Sequence, residues 1–517
     1  MMEPRVLLLC IVGCSLSRAT PISMDNVNIN ASDPIPTNDS ATTNETTADP
    51  DPVPFIDCTK KDLFDLIMEA NKDIAVFLEG GDINYKRSRS AIQCPGCLWK
   101  KSANGTVQVP FTFPSVYTDF ERSMVSEVMK EFEVMTCVKF VSRTTEVDYL
   151  AIESADGCWS YVGKVGGKQV VSISMPACTK YTLIQHELMH TLGFFHEQTR
   201  KDRDQYIKIL WENISPSDYI NFDYDGGSTL NLPYGYNSIM HYGSKDYSRV
   251  SGKPSMVVKG DPKRSLGQTT GMDDVDVLKV NAAYNCNLCR RKFVDETGTF
   301  TYNSKSSSQG ASSCLYLIQT ALKVLLQIGD FNISSSRLCS NSYIKVYDGV
   351  SQSYDGVSQT CGSGPVPPLV SSGSFMLIEI VNNQPSALSR FNASYQTVRY
   401  GGTFVTDNTV VTSPDFPNLY PNKLDIVYSI IAPKGYKVSL TFLFFWLQYS
   451  QSCSIDYLTI YDGPLKTSPI LRTYCGYFLP LGSPLVSTGN VIVLQFHSGP
   501  VISYNGFYAT IEFVPSK

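Results

Sequence analysis

Three of the five histidines in this chain of 517 residues fall within twelve positions, HELMHTLGFFHE at 186–197. On a helix, residues four apart share a face. His186 and His190 therefore direct two imidazoles at one point, which is what a zinc ion asks of two of its ligands. Glu187, one position on, is turned about 100° around the helix. It is placed to reach a water on the metal instead of the metal itself. Gly193 can adopt a positive φ and end the helix, so the chain turns back and His196 arrives as a third ligand. Three protein ligands leave one position open for water, the mark of a catalytic and not a structural site. The fold must close a helix and the turn after it around one ion.

The length corresponds to roughly three domains at about 100–200 residues each, and a hydrophobic share of 43% suffices for sizeable cores. A net charge of −5 with no long basic run argues against nucleic acid as a partner. Residues 1–19 read as a signal peptide: Arg5 precedes an apolar run at 6–14, too short to span a bilayer, and Ser17 and Ala19 supply small residues for a cleavage site. No later stretch has eighteen apolar residues in a row, so no membrane span is expected. The expected location is extracellular, with storage in secretory granules left open. Fifteen cysteines fit an oxidising compartment. Cys10 and Cys14 leave with the leader and Cys58 lies in a pro-segment, which leaves twelve, an even number. Sequons at Asn104, Asn213, Asn332 and Asn392 agree with secretion, as do Asn30, Asn38 and Asn44.

Residues 20–89 are expected to be a propeptide. Its first part, 20–54, is rich in Asn, Asp, Thr and Pro and cannot bury a core. A helical spacing of apolar residues follows (Leu63, Ile67, Ala70, Ile74) and stops at Gly80-Gly81. The basic stretch Lys86-Arg87-Ser88-Arg89 offers a cleavage site between Arg89 and Ser90 to a trypsin-like activating protease. Residues 90–287 mix a helix entering a strand (117–140), strands and hairpin turns (148–175) and a helix (181–195), the texture of an α+β domain. From Cys289 onward short β-runs repeat: CSNSYIKVYDG at 339–349 matches CSIDYLTIYDG at 453–463. Two all-β sandwich modules, 288–398 and 399–517, fill the space. The hexapeptide YDGVSQ occurs at 347–352 and again at 354–359, and is expected in a loop.

HELMHTLGFFHEQTRKDRD, with SIMHY (238–242) downstream, resembles the metzincins and among them the astacin family. The likeness runs from about 90 to 286 and includes YNSIMHY and LKVNAAYNC. The resemblance implies an α+β zincin fold and one zinc ion on His186, His190 and His196. It implies Glu187 as the general base, which takes a proton from the water and passes it to the leaving amine. Met240 would be the apolar floor beneath the metal, and Tyr242 an additional zinc ligand that swings away to donate to the oxyanion. His241 is read as structural. Glu197 would receive the amino terminus freed by cleavage after Arg89. Asp82 would replace the water on zinc and hold the proenzyme latent, although Glu79 stands where the F-x-G-D pattern of the family has Phe. Gly235 replaces the usual Asp in YGYNSIMHY. The family pattern also implies disulfides Cys137–Cys286 and Cys158–Cys178, and Cys94–Cys97 resembles the local pair of hatching-type members.

The β repeats resemble CUB domains. The resemblance gives Cys289–Cys314 and Cys339–Cys361 to the first copy and Cys453–Cys475 to the second, where Tyr400 stands in place of the opening cysteine. Many CUB domains bind calcium through an acidic cluster. Here Asp456 remains, but Gln448 and Gly499 fall near the other positions and Ser342 matches Asp456 in the first copy. Calcium needs several hard oxygens, so none is expected. The reading as a whole is a secreted zinc endopeptidase, made as a zymogen, that cuts extracellular proteins, egg-envelope proteins of the hatching type foremost. The alternatives are a matrix- or growth-factor-processing protease of the tolloid type, against which the lack of an EGF-like cysteine cluster speaks, and a non-catalytic CUB binding protein.

Overall fold

The structure is a computed structural model, and it describes residues 61–84, 96–224, 228–304, 313–354, 356–383, 389–477, 479 and 484–516. Two compact units divide the chain, Met1–Asp57 and Cys58–Lys517, and all described residues lie in the second. The expected leader, Cys58, the expected cleavage site at Arg89 and Ser90, and Cys94 fall outside the described residues. Among the described residues no helix is long and apolar enough to cross a membrane.

The α+β part begins with helix α1 (Leu63–Asn71). Asp62 caps it by accepting from the Asp65 amide, and Asp65 returns the bond, a reciprocal box that satisfies orphan donors of the first turn. The helix ends sooner than its apolar spacing predicts, and Ile74 lies beyond it. The cause is Asn71. Its side-chain amide donates to Gly81 O and Cys158 O and its oxygen accepts from Cys158 N, which ties the helix end to a neighbouring strand. A five-stranded sheet follows, built from β1 (Val107–Thr112), β2 (Val138–Ser142), β3 (Tyr149–Glu153), β4 (Cys158–Trp159) and β5 (Lys168–Ile173). Its order is β2-β1-β3-β5-β4, parallel except for the short edge strand β4. Helix α2 (Asp119–Met135) connects β1 to β2, opened by the capping box of Thr118 and Glu121.

Helix α3 (Tyr181–Thr191) carries HELMH, and every residue after Tyr181 is buried. A helix apolar or occupied on all sides has no exposed face to read from periodicity. It also stops at Thr191, earlier than the expected end at 195, because Gly193 (φ +102°) turns the chain. Irregular turns lead to helix α4 (Asp274–Ala283), capped reciprocally by Asp273 and Asp276. One apolar core runs beneath the sheet and against the helices, from Val107 and Phe132 to Leu188, Met240 and Val280.

Each β module stacks two sheets over its own core. In the second module Tyr400 packs against that core in place of a disulfide. Disulfides join Cys137–Cys286, Cys158–Cys178, Cys289–Cys314, Cys339–Cys361 and Cys453–Cys475. Cys97 is also disulfide-bonded, to a partner outside the described residues. The repeated hexapeptide departs from its expected loop. Part of the second copy forms the strand Gly356–Thr360, paired to Ser342–Tyr347, because its alternating Val357 finds an apolar core to face.

Candidate metal centre and active site

The three histidines converge. His186 and His190 leave α3 one turn apart, and His196 returns from the turn after Gly193. Ligand atoms of Asp82, His186, His190 and His196 all lie within 4.8 Å of one another, and all four residues are buried. His186 Nδ1 faces Ile239 O at 2.9 Å and His190 Nδ1 faces Phe194 O at 2.7 Å. A carbonyl only accepts, so each Nδ1 carries the proton and each Nε2 presents a lone pair to the centre. Asp82 Oδ2 stands 2.9 Å from His186 Nε2, and Asp82 Oδ1 is 3.3 Å from His196 Nε2 and 3.6 Å from His190 Nε2. His190 Nε2 and Asp82 Oδ1 make no hydrogen bond. Buried lone pairs and a carboxylate facing one another are what a divalent cation would satisfy. The donor set fits zinc.

Glu187 is fully buried, and neither carboxylate oxygen has a hydrogen-bond partner. Burial first, and then the charge of Asp82, push its carboxyl well above the usual carboxylate range. Met240 is buried, and its carbonyl accepts from the Glu197 amide at 2.8 Å. The turn that holds it is fixed by Asp276 of α4, which accepts from Ser238 Oγ at 2.5 Å and Ile239 N at 2.8 Å. His241 is structural here: its ring bridges Tyr242 O and Tyr234 OH, and burial pulls it down to about 4. Asn213, one of the sequons, is buried, and its amide donates to Pro254 O at 2.8 Å.

Tyr242 is among the largest fully buried side chains, and its hydroxyl donates to Gly80 O at 2.8 Å. Residues 80–82 thus reach the centre with backbone as well as with the Asp82 side chain. Gly80 and Gly81 have φ of +67° and +88°, and a Cβ on Gly80 would stand 2.7 Å from the His196 ring. Only glycine combines that turn with that approach. Gly80 N donates to Asn221 Oδ1 at 3.0 Å, and Asn84 N and Ser160 N exchange bonds with Ser160 O and Asp82 O beside β4. Glu79 pairs through its backbone with Ile83, and Phe77 is exposed. The aromatic group over the centre is Phe64 of α1, which sequence reasoning missed. Its ring lies 4.1 Å from that of Tyr242 and 6.2 Å from that of His196.

Glu197 is buried with both oxygens engaged. Lys279 Nζ lies at 2.6 Å, Arg200 Nη1 at 3.0 Å and Gly235 N at 2.7 Å. Burial works to raise this carboxyl, but the charges of Lys279 and Arg200 outweigh it and hold it below the ordinary value. A new amino terminus would join two cations already present. In the second β module Asp456 is likewise engaged, by Tyr420 OH at 2.5 Å and Gly499 N at 2.7 Å.

A second unforeseen contact anchors α1. Asp62, Asp65 and the buried Asp246 bring three carboxylates within 4.8 Å. A Cβ on Gly243 would lie 1.6 Å from Asp62 Oδ2, so that glycine makes the notch. Burial, and then the charge of Asp62, raise Asp246 well above the usual range; burial also raises Asp62. A carboxyl raised in the docked state binds more protons docked than free. Docking is then strongest below the ordinary aspartate range and weakens as pH rises through the raised values. Hydrogen exchange of the α1 amides in the unprocessed protein, corrected for intrinsic rates, should show easier opening as pH rises above the ordinary aspartate range, and Asp246→Asn should flatten the trend. Protection independent of pH would contradict it.

Residues 98–285 match the peptidase family described as Astacin, and residues 289–395 and 401–511 match the CUB domain. Embryonic protein UVS.2 of Xenopus laevis is 36% identical over 512 residues, covering 98% of both chains. The astacin-like metalloendopeptidase of Coturnix japonica is 41% identical over 351 residues, 67% of this chain and 86% of that one. The chain belongs to the astacin family. Astacins are zinc-dependent metalloendopeptidases, and His186, His190 and His196 form a site able to bind the metal. High choriolytic enzyme 1 of Oryzias latipes is 40% identical over 234 residues, 45% of this astacin and 85% of the relative. Its solved structure aligns over 38% of this chain and all of that one, at 42% identity and a TM-score of 0.37.

Proposed function

We propose that this astacin is a secreted zinc endopeptidase, made as a latent proenzyme, whose substrates are extracellular proteins and foremost those of an egg envelope. The observation that carries latency is Asp82, seated among the three histidines while Tyr242 is held on Gly80. The hatching assignment is supported by sequence likeness to High choriolytic enzyme 1 of Oryzias latipes.

His186, His190 and His196 would hold the zinc, which when bound polarises a scissile carbonyl and lowers the pKa of water. Glu187 is the base that takes the proton of the attacking water and returns it to the leaving amine; loss of Asp82 on processing removes one of the two influences that raise its carboxyl in the latent state. Removal of the pro-segment after Arg89 by a trypsin-like protease takes Asp82 out of the centre and frees the Tyr242 hydroxyl. That hydroxyl then donates to the oxyanion of the substrate. Ser90 becomes the first residue, and its amino group adds to the charges around Glu197. The edge strand β4, no longer paired near Ser160, offers its backbone to an extended peptide.

Mapping of cut sites in egg-envelope and matrix extracts treated with Arg89-processed protein tests the assignment. Cleavage concentrated in envelope proteins supports it, and cleavage confined to matrix or growth-factor precursors favours the tolloid-type reading. The β modules are assigned to positioning protein substrates. Since Asp456 is spent on Tyr420 and Gly499, a calorimetric calcium titration of the whole chain should give no tight isotherm.

A further inference from the structure

The first CUB module does not hang from the protease. Its opening strand, Cys289–Phe293, lies against α2 and α4: Arg290 Nε donates to Val134 O at 2.8 Å, and Lys292 N donates to Asp274 Oδ1 at 2.9 Å. Val134, Met135 and Val277 of the protease share one apolar cluster with Leu315, Leu317 and Leu377 of the module. The repeated hexapeptide belongs to this contact. Val350 of the first copy enters the cluster, and Tyr354 of the second gives its hydroxyl to Glu127 of α2.

A buried ion pair sits inside the joint. Lys292 Nζ of the module binds Glu131 Oε1 of α2, and both side chains are fully buried. The other oxygen of Glu131 accepts from Tyr181 OH at 2.7 Å. Tyr181 is the first residue of α3, and its ring rests on Phe375 of the module, 5.4 Å between centroids. No side chain caps α3 at Lys180, and its first turn has no acidic residue. The start of the helix that carries both histidines and Glu187 is therefore pinned by Tyr181. One turn on, Gln185 and Gln319 of the module meet across Gly271, where a Cβ would stand 2.7 Å from one Oε1 and 3.3 Å from the other.

We propose that Lys292 is a positioning residue for peptide hydrolysis: it neutralises Glu131 and through it fixes Tyr181 and the register of α3. The proposal rests on the zinc-endopeptidase reading. Without Lys292 the buried Glu131 carboxylate has no counter-charge, so it takes up a proton, draws water or turns away, and each change alters the bond it makes with Tyr181. His186 lies five residues further, about 7.5 Å along the helix, and catalytic geometry tolerates little displacement.

The test uses full-length, Arg89-processed protein with active sites titrated and zinc content measured, well below the melting temperature. Chelator-sensitive cleavage by the wild type establishes the enzyme; its absence would fail that reading and not this one. Lys292→Met is expected to lower kcat about tenfold on a short peptide with KM unchanged. Glu131→Gln/Lys292→Met, which buries no charge and keeps an acceptor for Tyr181, is expected to restore kcat. A lower melting temperature with unchanged kcat per titrated site would overturn the proposal, because it would leave Lys292 a purely structural role. If Lys292→Met does not fold, Tyr181→Phe decides. It keeps the ring on Phe375 and removes the hydroxyl, so kcat should fall with KM unchanged, and an unchanged kcat overturns the proposal.

Discussion

Replacing Glu187 by alanine in the processed enzyme is expected to lower kcat/KM by about 10²–10⁴, the usual worth of a positioned acid–base group. Zinc content should stay the same, because Glu187 is not among the residues whose ligand atoms converge at the centre. Stability should not fall with activity. The carboxylate is fully buried, and burial penalises its charged form, so its loss removes a desolvated group. A peptidase assay, a zinc measurement and a melting curve on one preparation separate these effects. Activity within a few-fold of wild type would remove Glu187 from the mechanism.

Asp82→Ala in the unprocessed protein is expected to show peptidase activity where the wild-type proprotein shows almost none. Asp82 places both oxygens on the histidine centre, and removing one partner of a buried polar contact costs about 1–3 kcal/mol. That is about a fivefold to hundredfold shift of the latch toward open. The change should be larger on short peptides than on proteins, since Phe64, Gly80 and the pairing of Ile83 with Ser160 still cover the cleft. A silent Asp82→Ala proprotein that becomes active on processing would show that the backbone plug, and not the carboxylate, enforces latency.

What is legible in the sequence is set by local spacing. His186, His190, Gly193 and His196 lie within eleven residues, and helix geometry alone brings the rings together. The groups that face them are not legible from spacing. Asp82 reaches His186 across 104 residues, and its assignment rests on a family pattern with one mismatched position. Phe64 is visible only as one more apolar residue of α1. Its seat on Tyr242 depends on Asn71 ending the helix and on Asp62 fitting the Gly243 notch, contacts between separated segments that no periodicity records. Lys292 is the clearest case. A lysine in a charged strand opening reads as solvent-exposed, yet Glu131, 161 residues away, makes it a fully buried ion. The repeated hexapeptide reads as a loop because insertions collect there; part of its second copy is strand because Val357 has a core to enter.

The most direct test is hydrolysis of a denatured protein by Arg89-processed wild type, measured before and after metal removal by a chelator and after zinc is returned, beside Glu187→Ala. Cleavage is expected to disappear with the chelator, to return with about one zinc per chain, and to be absent from the variant. Cleavage that survives metal removal, or that Glu187→Ala retains in full, would contradict a zinc-dependent mechanism with Glu187 as its base.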